Sequence, residues 1–265
     1  FLQILPLFLL PFWLLFLSSF PPSLIILFPI ANLQKFTLYA KMQKKKGAKT
    51  MQTVTSAQMK EIEHRANANG LSYSQMMYHA GAKAAEHILQ HIKNPVGKIA
   101  IVLTGRGNNG GDGYVVAQKL NEAGLLVLII MAEGTPKTQD AQTYFGHCKD
   151  SGIEILAYHP AKANILFMGA DIIVDAIYGT GFHGKLNDTV RSITRMANNS
   201  DAKIYALDLP SGLNADTAEA DFDVIRADTT IAFHLLKPAH IDPNAKSLCG
   251  DVHCVDIGIP HEFDQ

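Results

Sequence analysis

The stretch GRGNNGGDGY, residues 105–114, follows the apolar run KIAIVLT and packs five glycines, two asparagines and one aspartate into ten positions. Gly105, Gly107 and Gly110 stand in GxGxxG spacing, and Glu133 follows the next apolar run at roughly the distance where the acid of a dinucleotide fold meets a ribose. Those features alone describe a loop that cradles the pyrophosphate of NAD in a dehydrogenase. The loop holds more than that pattern needs: Asn108, Asn109, Gly111, Asp112 and Gly113. Asp112 is expected at the N-cap of the following helix, where its carboxylate accepts backbone N–H groups and competes with a pyrophosphate for the same helix end. The motif therefore departs from the standard fingerprint, with asparagine oxygens open to a cation or a polar ligand. A tight turn capped by Asp112 is the plainer reading of the same residues.

Two further segments place oxygen donors in a similar setting. IIVDAIYGTGFHGKL sets Asp175 near the end of an apolar run, followed by Gly179, Thr180 and Gly181, whose turn can offer backbone N–H groups to phosphate. IYALDLPSGLNAD sets Asp208 at the end of another, with Pro210, Ser211 and Gly212 in a turn expected to expose Ser211. An aspartate inside an apolar strand is unfavourable unless hydrogen-bonded or coordinated, although caps and turns use aspartate routinely. Asn109, Asp175 and Ser211 together supply hard oxygens, which suit an alkali or alkaline-earth cation rather than zinc or copper. Such a cation would also let a diphosphate lie near carboxylates. Asp208 is then the carboxylate left for proton transfer. Lys237, in TTIAFHLLKPAH, either adds a positive charge or a second proton-transfer group, or is a solvated surface lysine.

These residues need elements that bring them to one edge. Residues 98–104, 125–131, 154–158, 171–177, 203–209, 229–235 and 252–257 read as strands, most of them near-continuous apolar runs as in a sheet buried on both faces. Helical stretches lie near 112–123, 138–150, 161–168 and 186–199. Ahead of them, TSAQ (Thr55 to Gln58) and SYSQ (Ser72 to Gln75) read as capping boxes that open two N-terminal helices, the second with small Ala80, Gly81, Ala82, Ala84 and Ala85 for close packing. The expected fold is α/β: a three-layer α/β/α Rossmann-like domain with a mainly parallel central sheet, its ligands beyond the carboxyl ends of the strands.

Composition excludes several classes. Lys and Arg number 23 against 24 Asp and Glu, a net charge of −1, and no charged block interrupts the body, so no nucleic acid is expected as partner. Cys148, Cys249 and Cys254 are too few and too poorly spaced for a disulfide framework, and Cys249, His253 and Cys254 match no usual zinc spacing. A reduced intracellular, cytoplasmic protein is expected. Residues 1–31 contain, besides Phe, Leu, Ile, Pro and Ser, only Gln3, Trp13 and Ala31. This is either a non-coding stretch translated in frame, since those residues share pyrimidine-rich codons, or a targeting or membrane segment. Five prolines and the absence of a preceding basic residue weigh against a signal peptide. Met42 and Met51 are alternative starts around the basic linker QKKKGAK. Residues 1–50 are therefore set aside as leader and linker, and 51–265 are expected to form one domain without a membrane role; only a genuine leader would make the protein organellar or membrane-anchored.

GNNGGDG, DAIYGTG, DLPSGLNADT and the late TTIAF…K resemble, in order and spacing, the NAD(P)H-hydrate epimerase family, the N-terminal domain type of the YjeF proteins. The likeness runs from about Met51 to VDIGIP. It implies interconversion of the R and S forms of hydrated NADH and NADPH (NADHX and NADPHX) at C6 of the nicotinamide ring, a metabolite-repair reaction with a bound potassium ion. By that likeness Asn108, Asn109, Gly110, Gly111 and Asp112 line the nucleotide site with Gly179, Thr180, Gly181, Phe182, His183, Gly184 and Lys185. Asp208 contacts substrate as the acid/base, and Asn109, Asp175 and Ser211 hold potassium. A homodimer is expected, serving a separate dehydratase, since no dehydratase domain follows in this sequence. Tyr78, in MMYHAGA, replaces the glutamate usual in the family's LMExAG. The competing expectation is a non-catalytic scaffold of this domain type that binds RNA or protein.

Overall fold

Two capping boxes open the described chain, residues 53–264 of a computed structural model; the expected leader and linker lie outside the described residues. Thr55 caps α1 (Ser56–Ala68) with Gln58 answering, and Ser72 caps α2 (Tyr73–Gln90) with Gln75 answering. Each box satisfies two backbone donors that a helix start would otherwise leave open.

The alternation that follows is β1 (Ile99–Thr104), α3 (Asn108–Glu122), β2 (Leu126–Met131), α4 (Gln139–Asp150), β3 (Glu154–Ala157), α5 (Pro160–Met168), β4 (Ile172–Ala176), α6 (Asp188–Asn198), β5 (Lys203–Leu207) and β6 (Thr229–Phe233). Two short helices, α7 (Pro238–Ile241) and α8 (Lys246–Cys249), precede β7 (Asp251–Val255), and a 3-10 turn at His261–Phe263 closes the described chain. All seven strands pair in parallel in the order β3-β2-β1-β4-β5-β6-β7, so the expected mainly parallel sheet is wholly parallel. The order reverses direction at β1 and β4, the place where such sheets open a crevice beyond their carboxyl ends.

The period of two along each strand divides the core. Ala100, Val102, Ile129, Val174, Tyr205 and Ile231 face one layer with α1, α2, α3 and α4. Ile101, Leu103, Ile130, Ile173, Ile204 and Ala206 face the other with α5 and α6. On the first face α2 approaches α3 so closely that a Cβ on Gly81 would lie 2.5 Å from Val115 Cβ and 2.7 Å from the Asp112 carbonyl oxygen. Among the described residues no helix is long and apolar enough to cross a membrane.

Candidate functional site

The glycines of the opening motif bring backbone against backbone. A Cβ on Gly110 would stand 2.2 Å from the Gly105 carbonyl oxygen, and one on Gly113 would stand 2.5 Å from Ala176 Cβ of β4. Only glycine lets the start of α3 lie this deep between β1 and β4, which corrects the reading of Asp112. The helix begins at Asn108, with Gly107 as a cap that makes no side-chain hydrogen bond. Asp112 is therefore inside the helix and buried, not at its N-cap. The amides of Asn108, Asn109 and Gly110 have no partner within the helix, whose first bond runs from Gly111 N–H to the Gly107 carbonyl. The end of α3 is thus free for an anion, where a capping carboxylate was expected to compete. Asn108 is exposed, Asn109 half-buried and Gly111 buried.

Asp208 follows β5 with φ 61, in the left-handed region. The Leu209 N–H bonds the Leu207 carbonyl at 2.7 Å across it, a three-residue turn that is strained for a non-glycine residue. Three contacts hold it. Oδ2 accepts from the Thr180 amide at 2.9 Å, Oδ1 accepts from Lys237 Nζ at 2.8 Å, and its carbonyl accepts from His240 Nε2 at 2.6 Å. Since His240 Nδ1 accepts the Lys237 amide, His240 carries its proton on Nε2; burial pushes its pKa down to about 4, and it is neutral. Lys237 is 1% exposed and also donates to the Phe233 carbonyl at 3.0 Å. The solvated-lysine reading is thereby overturned, and Asp208 does not stand alone. Burial opposes ionisation of Asp208, but Lys237 outweighs it and holds the carboxyl below its ordinary range.

Around this pair burial acts the other way. Asp112 is pushed well above the ordinary value, first by burial and then by the charges of Asp208 and Glu63. Glu63 of α1 rises to about 7, again by burial first and then by Asp208. Neither Glu63 nor His240 figures in the expected site. Glu63 lies one turn from Met59 on the face that buries Met59, Ile62 and Ala66, so a charge inside that stripe was the available signal. For His240 the signal was its place three residues after Lys237.

The predicted cation donors fall into two groups. Ser211 and Asp175 form one unit: Ser211 Oγ donates to Asp175 Oδ1 at 2.6 Å and its amide to Oδ2 at 2.7 Å, while the Tyr178 amide donates to Ser211 Oγ at 2.9 Å. Both residues are fully buried, so the turn does not expose Ser211 as expected. Burial raises the Asp175 carboxyl to about 6 against the hydrogen bonds that lower it, and no basic side chain pairs with it among the described residues. Asn109 is the third donor. Its carboxamide lies at Gly179, where a Cβ would be 2.8 Å from Asp208 Oδ2 and 3.4 Å from Asn109 Oδ1. Both Oδ1 and Nδ2 of Asn109 are buried without a hydrogen-bond partner among the described residues. An orphaned carbonyl oxygen and a buried carboxyl with no counter-charge fit a hard monovalent cation.

Of the second loop, Gly179 and Thr180 reach Asp208, whereas Phe182 turns into the core and stacks on Tyr178 with ring centroids 5.4 Å apart. Gly181, His183, Gly184 and Lys185 are exposed on the rim, where His183 Nδ1 meets Asn214 at 3.1 Å. Glu133 accepts from Asn187 at 2.7 Å. Tyr78 is half-exposed beneath Lys119.

This arrangement has relatives. The profile of the YjeF-related protein N-terminus family matches residues 73–239, a span that holds the motif loop, Asp175, Asp208, Ser211 and Lys237. The chain belongs to this family. A bifunctional NAD(P)H-hydrate repair enzyme Nnr of Pyrobaculum aerophilum is 36% identical over 219 residues, covering 81% of this chain and 43% of the relative. The NAD(P)H-hydrate epimerase of Elusimicrobium minutum is 32% identical over 222 residues, covering 80% of this chain and 98% of the relative. The chain thus spans less than half the length of the bifunctional relatives and nearly the whole of this epimerase. The crystal structure of yeast ynu0, YNL200c, superposes with a TM-score of 0.68 over 80% of this chain and 91% of the yeast one, at 22% identity, a likeness of fold.

Proposed function

We propose that the chain interconverts the R and S forms of hydrated NADH and NADPH, as its epimerase relatives are named for doing. The observation that carries this reading is the Asp208 carboxylate, fixed at a strand end by Thr180 and Lys237 and facing Gly179 where no side chain fits. The open end of α3 and the 179–185 loop are the groups for the substrate's diphosphate and nucleotide.

Epimerisation at a carbon bearing a hydroxyl and the ring nitrogen proceeds by loss of water to an iminium and return of water to the other face. One proton is given to the leaving hydroxyl and one is recovered from the incoming water. Asp208 rests as a carboxylate 2.8 Å from Lys237 Nζ, so the proton is drawn from the raised carboxyls of Asp112 and Glu63 around it. Passed to Asp208, it lets the carboxyl protonate the hydroxyl; as carboxylate, Asp208 then takes a proton from the returning water and hands it back. Potassium, held by Asn109, Asp175 and Ser211, would supply positive charge beside the diphosphate. We assign residues 51–265 to one epimerase domain, acting as a homodimer alongside a separate NAD(P)HX dehydratase. Three unpaired cysteines support a reducing, cytoplasmic setting.

The test follows the two epimers of NADHX by chromatography. The chain should equilibrate them, and Asp208→Asn should slow this by about 10²-fold or more. Near-normal turnover in Asp208→Asn would remove Asp208 from the chemistry. No turnover together with tight RNA binding would favour the scaffold reading, for which no observation in the structure or among these relatives speaks.

A further inference from the structure

His234 follows β6 as Asp208 follows β5. It too has positive φ, 62°, and the Leu235 N–H bonds the Phe233 carbonyl across it at 2.7 Å. Strain of this kind persists only where the surroundings fix the residue. Here they do: the His234 amide donates to the Val255 carbonyl at 2.9 Å and its carbonyl accepts the Cys254 thiol at 3.2 Å. The turn sends its ring, 1% exposed, to the C-terminal 3-10 segment, where Nε2 lies 2.7 Å from Asp264 Oδ1. Asp264 Oδ2 lies 2.9 Å from His261 Nδ1. In a 3-10 turn residues three apart eclipse, which brings His261 and Asp264 to one side, and the His261 ring stacks on His234 at 5.9 Å. The three donor atoms all lie within 4.8 Å of one another.

We infer that His234, Asp264 and His261 bind a divalent transition metal of the zinc class, at a site distinct from the potassium donors and independent of the epimerase reading. Two imidazoles and one carboxylate are a zinc, cobalt or nickel set, not one for calcium or magnesium. Tetrahedral bonds of about 2.0–2.1 Å put neighbouring donors about 3.3 Å apart. The donor atoms, within 4.8 Å of one another, have to draw to that spacing around the ion, with one Asp264 oxygen moving off its hydrogen bond of 2.7 or 2.9 Å to become the ligand. His261 is 82% exposed, so the site opens to water and leaves room for a solvent ligand. The ion would tie the segment around residue 261 to the turn three residues before Lys237 and close a long loop in the folded state, linking metal binding to stability.

Zinc alone is titrated calorimetrically into the metal-free full chain, and cobalt is added in parallel to read the visible spectrum of a tetrahedral site. The expected result is saturable one-to-one binding, a raised melting temperature and a tetrahedral cobalt spectrum. His261→Ala, at an exposed position where folding is secure, should weaken zinc at least about tenfold and abolish that spectrum. His91→Ala is the control, because His87, His91 and His253 form a second imidazole group with ring centroids 4.4–6.4 Å apart. Loss of binding in His91→Ala with retention in His261→Ala would overturn the assignment, as would the absence of saturable binding in the unsubstituted chain.

Discussion

Lys237→Met replaces an ammonium with an apolar side chain of similar reach and leaves Asp208, 7% exposed, with the Thr180 amide as its remaining side-chain partner. The variant must either bury the carboxylate unpaired, which costs roughly 3–5 kcal/mol, or protonate it. Against an ordinary value of 3.8, holding the carboxyl neutral at pH 7 costs about 4 kcal/mol, so both routes predict a loss of about that size. The pH dependence separates this from a packing defect. In the parent protein Asp208 sits below its ordinary value, so its contribution to stability is present above about pH 4 and is lost as pH falls. In the variant its folded value lies above the unfolded one, so that contribution is present at low pH and is lost as pH rises through the folded value. The stability gap between the two proteins, measured by urea unfolding, should therefore be about 4 kcal/mol at pH 7 and shrink steadily toward pH 4. Adding Asp208→Asn to the variant should restore most of the loss. A gap that does not change with pH, or a double variant no more stable than Lys237→Met, would refute the argument that Lys237 is there to hold the carboxylate.

The remaining expectations follow from contacts of single atoms. Gly179→Ala places a methyl 2.8 Å from Asp208 Oδ2 and 3.3 Å from Asn109 Cγ; epimerisation should fall by about 10²-fold through displacement of the carboxylate, with the circular dichroism spectrum unchanged. Gly81→Ala puts a methyl 2.7 Å from the Asp112 carbonyl oxygen, which is backbone and cannot step aside; urea unfolding should show a loss of about 1–3 kcal/mol. Exchange of potassium for tetramethylammonium should depress epimerisation in the parent chain, and Asn109→Ala should be slow and indifferent to the exchange. Equal turnover in the two salts would remove the cation from the site.

The strands were legible because a parallel sheet buried on both faces needs unbroken apolar runs, and turn residues bound them; β4 and β5 lie within the expected ranges. The helix starts at Thr55 and Ser72 were legible because capping is local chemistry. Asp112 was misplaced for the opposite reason. Gly110, Gly111 and Gly113 argue against helix by propensity, yet α3 runs through them because Gly105, Met77 and Ala176 occupy the space a side chain would need. That requirement comes from other elements and leaves no mark in the motif. Lys237 is a similar case: its partner is 29 residues away on another strand end, so nothing local distinguished it from a solvated lysine. The oxygen donors could be named from their positions after strands. The burial of Ser211 could not, because it rests on contacts with segments distant in the chain: Asp175, which accepts its amide and hydroxyl, and Ile225, whose N–H donates to its carbonyl at 3.0 Å.

Lys237 also changes where the chemistry must find its proton. A lone Asp208 in this burial would tend to be neutral and ready to donate. Paired, it is a carboxylate at rest, and the acid has to be supplied by its neighbours. Asp112 is raised well above the ordinary range and Glu63 to about 7, each partly by the charge of Asp208. A bound diphosphate brings further negative charge to the same edge, which drives carboxyl values upward. Under the proposed reaction, substrate binding would itself favour protonated carboxyls around Asp208, while Lys237 keeps one of them poised to return to carboxylate when water attacks. A site of this composition thus couples acid strength to occupancy rather than to a single side chain.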